Sequence, residues 1–415
     1  MTRVIPGVIA AGLGFPSASG ATGKAEGRAL WVNRFEYTSP QDIKTIIKRA
    51  GNAHFNVIYF QVRGQCDAYY RSKIEPCAIG LCGQLGGEPP YDPLAVAITE
   101  AKKYGIEIHA WLNALSAWPS AKQDICALLH QAGGAKPRHL LLEHPDWVMV
   151  NLEGQATTCP NNDEYVYFSP AWQGVRSQLV RVTKDLATHY EIKGVHLDRI
   201  RYPGAAWSYD QVSLQSFGKD PNAFADEWDQ FRRDQINSMV KAAYRALTAV
   251  DPSLALSAAV WAIYQDKWNW NATNGYGTYF QDARAWARDG YLDVAAPMTY
   301  EPITPQMCGR VDWACLLPDH LAGIQKATGR HVYIGMYAQN GAAEILRAIA
   351  MAREQGAMGV SMYSYSLVDR AGLWDKLAKG PFKQYAEVPP QPWKKRESGD
   401  GTEGPPATSV PHIEG

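Results

Sequence analysis

Short apolar runs bounded by polar or turn residues recur along this chain, and eight of them read as buried strands. They are Leu30–Arg34, Asn56–Val62, Glu107–Leu112, Gly194–Asp198, Ala255–Val260, Val294–Thr299, Val332–Tyr337 and Gly359–Tyr363. Between them the apolar positions shift to helical spacing. Pro40 to Gly51 follows a Thr-Ser-Pro start, as an N-cap and first turn require. Asp92-Pro93 to Tyr104 repeats that design and ends at Gly105, and Val175–Tyr190, Phe224–Val250, Phe280–Asp289 and Ala342–Gln355 continue it. Strands alternating with helices predict a parallel sheet, and eight is the number that closes an α/β (β/α)8 TIM barrel.

Two connections are long, one from Gly64 to Tyr91 and one from Asn113 to Ala171. They follow the second and third strands, so both are expected on the face where such barrels carry their chemistry, as walls of a groove. The barrel is expected over residues 28–385. From Glu387 to Gly415 the chain is rich in Pro, Gly, Ser, Thr and charge, without apolar content for a core, and is expected to be disordered. At the other end, Arg3, the mostly apolar stretch Val4 to Phe15 and Ser19-Gly20-Ala21 read as an export signal over residues 1–21. The expected location is therefore periplasmic or extracellular.

At 415 residues the chain suits a decorated barrel with tails. Acidic and basic residues balance at 41 each, so no global field draws it to nucleic acid. No later stretch is apolar for long enough to span a bilayer, so no stable membrane insertion is expected. The seven cysteines include two close pairs, Cys77 with Cys82 and Cys308 with Cys315, expected as oxidised clips in loops of an exported protein. Cys66, Cys126 and Cys159 make the count odd. No Cys-x-x-Cys appears and no His stands at ligand spacing beside a cysteine, so neither a zinc site nor a cofactor is expected.

The strand ends concentrate polar and aromatic residues. They supply Asn33-Arg34-Phe35-Glu36-Tyr37, Gln61 to Asp67, His109 to Asn113, Asp198 with Arg199 and Arg201, Trp261, Met298 to Glu301, Gln339-Asn340, and Tyr363 with Tyr365. Carboxylates for acid–base work, amides and guanidiniums for hydroxyls, and flat rings for stacking make up a sugar site. The 14 Trp and 22 Tyr against 10 Phe fit that composition. Glycoside hydrolysis uses two carboxyl groups. Asp198, beside Arg199 and Arg201, is the expected anion, and Glu301, between Tyr300 and Pro302, the expected acid. Turn capping is the alternative for Asp198, and an ordinary loop acid for Glu301. Glu36 and Asp67 are rival second carboxylates, with capping or a salt bridge to Arg63 or Arg71 as their alternatives. Trp111, Trp261 and Tyr300 are expected to line the groove unless they seal the top of the core. Arg63 and Asn113 are expected to bind sugar hydroxyl or acetamido groups. Asp67, Arg201, Tyr202 and Tyr363 complete the candidate substrate contacts with His109, for which packing inside the barrel is the stronger alternative.

An ordered series of segments also carries a family resemblance. Ala29 to Phe35, Phe60 to Gly64, Asp67 to Tyr70, Tyr91 to Leu94, His109 to Asn113, His144 to Trp147, Ser169-Pro170 and Gly194 to Pro203 resemble the glycosyl-hydrolase-like family ten of bacterial cell-envelope proteins. The resemblance runs over roughly residues 28 to 380. It implies a (β/α)8 barrel, export, and hydrolysis of bacterial glycan, including peptidoglycan strands stripped of their peptides. In many relatives the fourth-strand motif has two adjacent acids; here Asp198 matches the first and Arg199 replaces the second. That shifts weight to Glu301 or another rim acid, and keeps a non-catalytic glycan-binding barrel as the alternative.

Overall fold

The computed structural model describes residues 25–120, 123–131, 134–160, 164–306 and 308–394. Its strands, in chain order, are β1 (Gly27–Val32), β2 (Val57–Arg63), β3 (Glu107–Asn113), β4 (Ser116–Pro119), β5 (Tyr165–Tyr167), β6 (Gly194–Asp198), β7 (Ala255–Val260), β8 (Val294–Pro297), β9 (His331–Tyr337) and β10 (Gly359–Tyr363). All but β4 and β5 form one closed parallel barrel, with β10 pairing back onto β1. The predicted TIM barrel is therefore present, with every predicted strand in the ring. The predicted helices lie between the strands. Ser39 and Asp42 form a reciprocal capping box for the helix Pro40–Asn52, and Asp92 caps Pro93–Ala101. No helix among the described residues is long and apolar enough to cross a membrane.

Alternation along the strands divides the core in two. Outward-facing Leu, Ile and Val pack against the helices. Inside the ring, Trp31, Tyr59, Trp111 and Tyr333 fill the barrel together with small residues such as Ala29 and Ala296. The large rings need bare backbone beside them. A Cβ on Gly27 would lie 2.2 Å from the Tyr333 ring, and one on Gly194 would lie 2.7 Å from His109. The indole and imidazole nitrogens at the centre of this interior are matched, while the Tyr59 and Tyr333 hydroxyls are buried without a hydrogen-bond partner among the described residues. Trp31 Nε1 donates to His196 Nε2 at 3.0 Å, which leaves His196 Nδ1 as the donor to Ser257 Oγ at 2.9 Å.

β2 carries a bulge that decides the fate of Arg63. Gln61 pairs with Trp111, but Arg63 pairs with Leu112, so one extra residue is inserted and Arg63 turns to the outer face. There its Nε and Nη2 each meet Glu75 at 2.8 Å, and it also donates to Asn113 O and to Cys66 Sγ. Burial alone would raise the Glu75 pKa, but the Arg63 charge outweighs it and holds the carboxyl below its ordinary range. Arg63 thus anchors the connection after β2 rather than meeting a ligand.

Three disulfides form. Cys77–Cys82 and Cys308–Cys315 are the predicted pairs, and Cys126–Cys159 is a third, across 33 residues of the connection after β3. Cys66 is the buried free thiol. Cys82, Cys126 and Cys315 stand in short helices rather than loops.

The expectation of disorder from Glu387 fails for its first residues. Glu387 O accepts from Glu26 N at 2.9 Å and Val388 packs against the interior rings. Trp393 Nε1 and Lys394 Nζ reach the buried Asp293 at 2.7 and 2.9 Å. Composition predicts whether a segment can build its own core, but this one inserts single side chains into a hole already made. The remainder of the expected tail, and the expected signal at 1–21, lie outside the described residues.

Two outcomes are expected. Glu75→Ala strands a buried guanidinium and should cost about 3–5 kcal/mol in urea unfolding; a loss under about 1 kcal/mol would remove the pair as an anchor. Burial also pushes His196 down to about 3 and His139, His320 and His331 down to about 4. An unfolded imidazole titrates near 6.5. Below that value the unfolded chain binds more protons than the fold, so the stability present above pH ~6.5 is lost as pH falls toward 4. The urea midpoint should drop measurably between pH 7 and 5, and an unchanged midpoint would contradict this.

Candidate active site

At the carboxyl ends of the barrel strands lies a cavity of about 530 Å³. Trp31 rises from the interior to line it, with Gln61, Trp111, Asn113, Asp198, Met298 and Tyr363 from the other strand ends. A separate hollow of about 490 Å³, lined by Asp92, Asp185 and Tyr190 among others, shares no lining residue with it.

Asp198 ends β6, opposite Asn113 in the β3–β6 ladder, and its carbonyl accepts from Ala114 N at 2.7 Å. Its Oδ1 accepts from the Arg199 backbone N–H at 2.6 Å and from Arg201 Nη1 at 3.3 Å. Burial disfavours the charged form, but Arg201, then Arg199, more than compensate and hold the carboxyl below its ordinary range. Asp198 is therefore the expected anion. Arg199 occupies the left-handed region at φ 50°, an uncommon conformation for a residue with a Cβ. That turn sends its side chain toward β5, where it pairs with Glu164 and donates to Tyr167 Oη at 3.3 Å.

The aromatic wall is formed by Tyr300, Tyr337 and Tyr363, with Tyr300 5.5 and 5.4 Å from the other two rings. Burial, then the nearby Asp198 charge, pushes the Tyr363 hydroxyl up to about 12, and burial also raises Tyr300 well above its ordinary value. Both stay neutral donors. Asn113 lines the cavity with its amide engaged: Oδ1 accepts from Trp111 Nε1 at 3.1 Å and Gln61 Nε2 at 3.3 Å, and Nδ2 donates to Gly64 O at 3.0 Å. It fixes Trp111 and Gln61 more than it offers groups to a ligand.

Glu301 is exposed, so the enclosure expected from Tyr300 and Pro302 is not there. Its position is informative all the same. It borders both the Asp198 cavity and an adjoining one of about 330 Å³, as do Met298 and Tyr300. Trp261 lies in this second cavity, its Nε1 donating to Thr273 O at 3.0 Å and its ring 5.4 Å from the Arg201 guanidinium. The two hollows form a cleft with Glu301 at the junction.

Four candidate contacts lie elsewhere. Arg63 is turned outward by the bulge. Asp67 is buried beneath the connection after β2, accepting from Gln65 N at 3.1 Å. His109 sits inside the barrel, level with Gly194 at the start of β6, below the layer that ends in Asp198. Tyr202 is fully buried with its ring edge-on to Phe280 at 5.5 Å. The rival acid Glu36 is spent on Asn33 N, Ser364 Oγ and Ser366 N, joining the loops after β1 and β10. The connection after β2 supplies no cavity wall; the connection after β3 supplies Glu164 and Tyr165. Glu164 was not singled out in the sequence, where only its place in a long connection marks it. Among the described residues no three His, Cys, Asp or Glu side chains converge as a metal site requires.

The fold recurs in known proteins. The chain is 27% identical over 363 residues to glycosyl hydrolase YngK of Bacillus subtilis, covering 81% of this chain and 66% of that one. It is 26% identical over 290 residues to glycosyl hydrolase DigH of Escherichia coli K12, covering 68% and 62%. The match thus spans less than two thirds of either relative's length. In fold it is similar to the PgaB (BpsB) glycoside hydrolase domain of Bordetella bronchiseptica, with TM-score 0.59 and 14% identity over 85% of this chain and 99% of that domain. The β-amylase catalytic domain of Paenibacillus polymyxa gives TM-score 0.58 and 11% identity, over 84% and 94%. A family model described as glycosyl hydrolase-like 10 matches residues 26–346, and the chain belongs to that family.

Proposed function

We propose that this protein is an exported glycoside hydrolase that cleaves an amino-sugar-containing envelope polysaccharide, peptidoglycan glycan strands foremost. The observation that carries this reading is the pairing of an enforced anion, Asp198, with Glu301 at the junction of two adjoining cavities. A polymer laid along the cleft puts one sugar over Asp198 and the next toward Trp261, with the linking oxygen near Glu301. Asp198 then serves as nucleophile or base and Glu301 protonates the leaving oxygen. The tyrosine wall and Trp111 offer flat faces for stacking and neutral hydroxyls for sugar oxygens. Three disulfides support an oxidising compartment.

The second reading, a glycan-binding barrel without catalysis, is favoured by Arg199 beside Asp198, where many relatives carry an acid, and by its ion pair with Glu164. Mass analysis of purified glycan strands after incubation separates the two: new chain ends support hydrolysis, whereas tight binding without products supports the second reading. Asp198→Asn keeps the side-chain shape and removes the charge, so turnover should fall at least ~10²-fold at unchanged melting temperature. Near-normal turnover in the folded variant would remove Asp198 from the mechanism. Because the fold lowers the Asp198 pKa, an acid limb of kcat/KM that requires its anion should lie below pH ~3.9, the ordinary aspartate value. A limb assigned to Asp198 above that value would contradict the charge assignment.

A further inference from the structure

The charges around the cavity do not cancel locally. Arg199 pairs with Glu164 and Arg201 with Asp198. Two lining charges are left over: Glu301 at the junction with the second cavity, and Arg34 beyond the end of β1. Arg34 is only 5% exposed. Its Nη2 donates to two neutral acceptors, Gln65 Oε1 at 2.9 Å and Tyr165 Oη at 3.3 Å. No carboxylate oxygen among the described residues comes within 4.0 Å of it; Asp67 acts on it only from farther away. A buried guanidinium is normally paired, because removing it from water is costly.

The seat of this guanidinium is shaped for it. A Cβ on Gly64 would lie 2.5 Å from both Arg34 Cζ and Nε, so the glycine leaves the space the group occupies. On another side the Phe35 ring lies 4.3 Å from Arg34 Cζ, and Phe35 itself is 73% exposed at the cavity's edge. A positioned, unpaired, planar cation beside an exposed ring fits a sugar that carries a negative group. One guanidinium without a direct carboxylate partner suits a monoanion, whereas a phosphate dianion would bring an excess negative charge into a cavity where Glu301 is already unbalanced.

We propose that Arg34 is a specificity-determining residue that binds a carboxylate borne by the sugar in the Asp198 cavity. This rests on the glycan-hydrolase reading and narrows it from amino-sugar polymers in general to those with acidic residues. The carboxylate has two sources, a lactyl ether on the ring, as in muramyl residues without peptide, or the C6 carboxyl of a uronic acid.

The test compares dissociation constants in an Asp198→Asn background, which prevents turnover. The ligands are a muramyl-containing tetrasaccharide, the same compound with its lactyl carboxyl amidated, a uronate-containing tetrasaccharide and a neutral N-acetylglucosamine tetramer. At least one free carboxylate ligand should bind about tenfold or more tightly than the neutral tetramer. Preference for the muramyl compound, lost on amidation, assigns the lactyl source; preference for the uronate assigns the other. Arg34→Gln should bring the preference to within about twofold. Gly64→Ala tests the same point with the charge retained, because the clash falls on the far end of the Arg34 side chain and displaces it. It therefore carries the test even where Arg34→Gln lowers the melting temperature. A preference that survives both variants, or no preference at all, overturns the inference. Where wild-type protein nevertheless cleaves neutral and acidic oligomers alike, the hydrolase reading stands without it. Protein that neither binds nor cleaves any of these glycans overturns both.

Discussion

The hydrogen bond from Trp31 to His196 spans the barrel interior and joins β1 to β6. It settles two things at once. It uses the indole N–H, which would be costly to bury alone, and it fixes which imidazole nitrogen accepts. His196 in turn lies 3.8 Å from the Tyr59 ring in a stacked arrangement and donates to Ser257 on β7. A polar chain of Trp31, His196 and Ser257 thus crosses a barrel otherwise filled by rings. Because the same Trp31 forms part of the cavity lining, the floor of the cavity is the top of this hydrogen-bonded core. Residues at the ends of β1 and β6 inherit that rigidity, Arg34 and Asp198 among them.

The electrostatics above this floor follow from the short sequence Asp198-Arg199-Ile200-Arg201. An acid at the end of a buried strand would ordinarily drift toward its neutral form. Two guanidiniums within three residues reverse that tendency. The left-handed turn at Arg199 lets both arginines contribute without meeting each other: Arg201 faces the carboxylate, while Arg199 lends its backbone N–H to Asp198 and its side chain to Glu164. Arg199 therefore contributes more than a charge, because it ties the β4–β5 pair to the end of β6.

The barrel was legible in the sequence because its strands are buried on both faces and stand out as apolar runs between helical periods. Seven of the twelve candidate residues, Asp198, Glu301, Trp111, Asn113, Arg201, Tyr300 and Tyr363, line the Asp198 cavity, since a strand end projects its residues to the same rim whatever the loops do. The others show where that logic stops. The sequence pattern puts Arg63 just beyond the strand Asn56–Val62; it is instead the last residue of β2, where a bulge of one residue reverses its face, and sequence alternation does not reveal a bulge. His109 has the right face and the wrong height. Trp261, the residue directly after β7, lies one cavity farther along. Asp67 and Tyr202 belong to connections whose paths are set by tertiary contacts. Glu164 arrives from a separate small sheet, and nothing local in the chain announces its approach to Arg199.

The closing of the barrel base has a practical side. Glu26 and Glu387 are hydrogen-bonded neighbours there, and Lys394 reaches the carbonyl of Leu254, just ahead of β7. The chain thus enters and leaves the described fold on one face, while the cleft opens on the opposite one. Joining the protein to a bead, a carrier or a reporter through this base leaves the mouth pointing outward, with the whole height of the barrel as a spacer. A long polymer held on a surface would then meet the cleft without having to thread past the attachment.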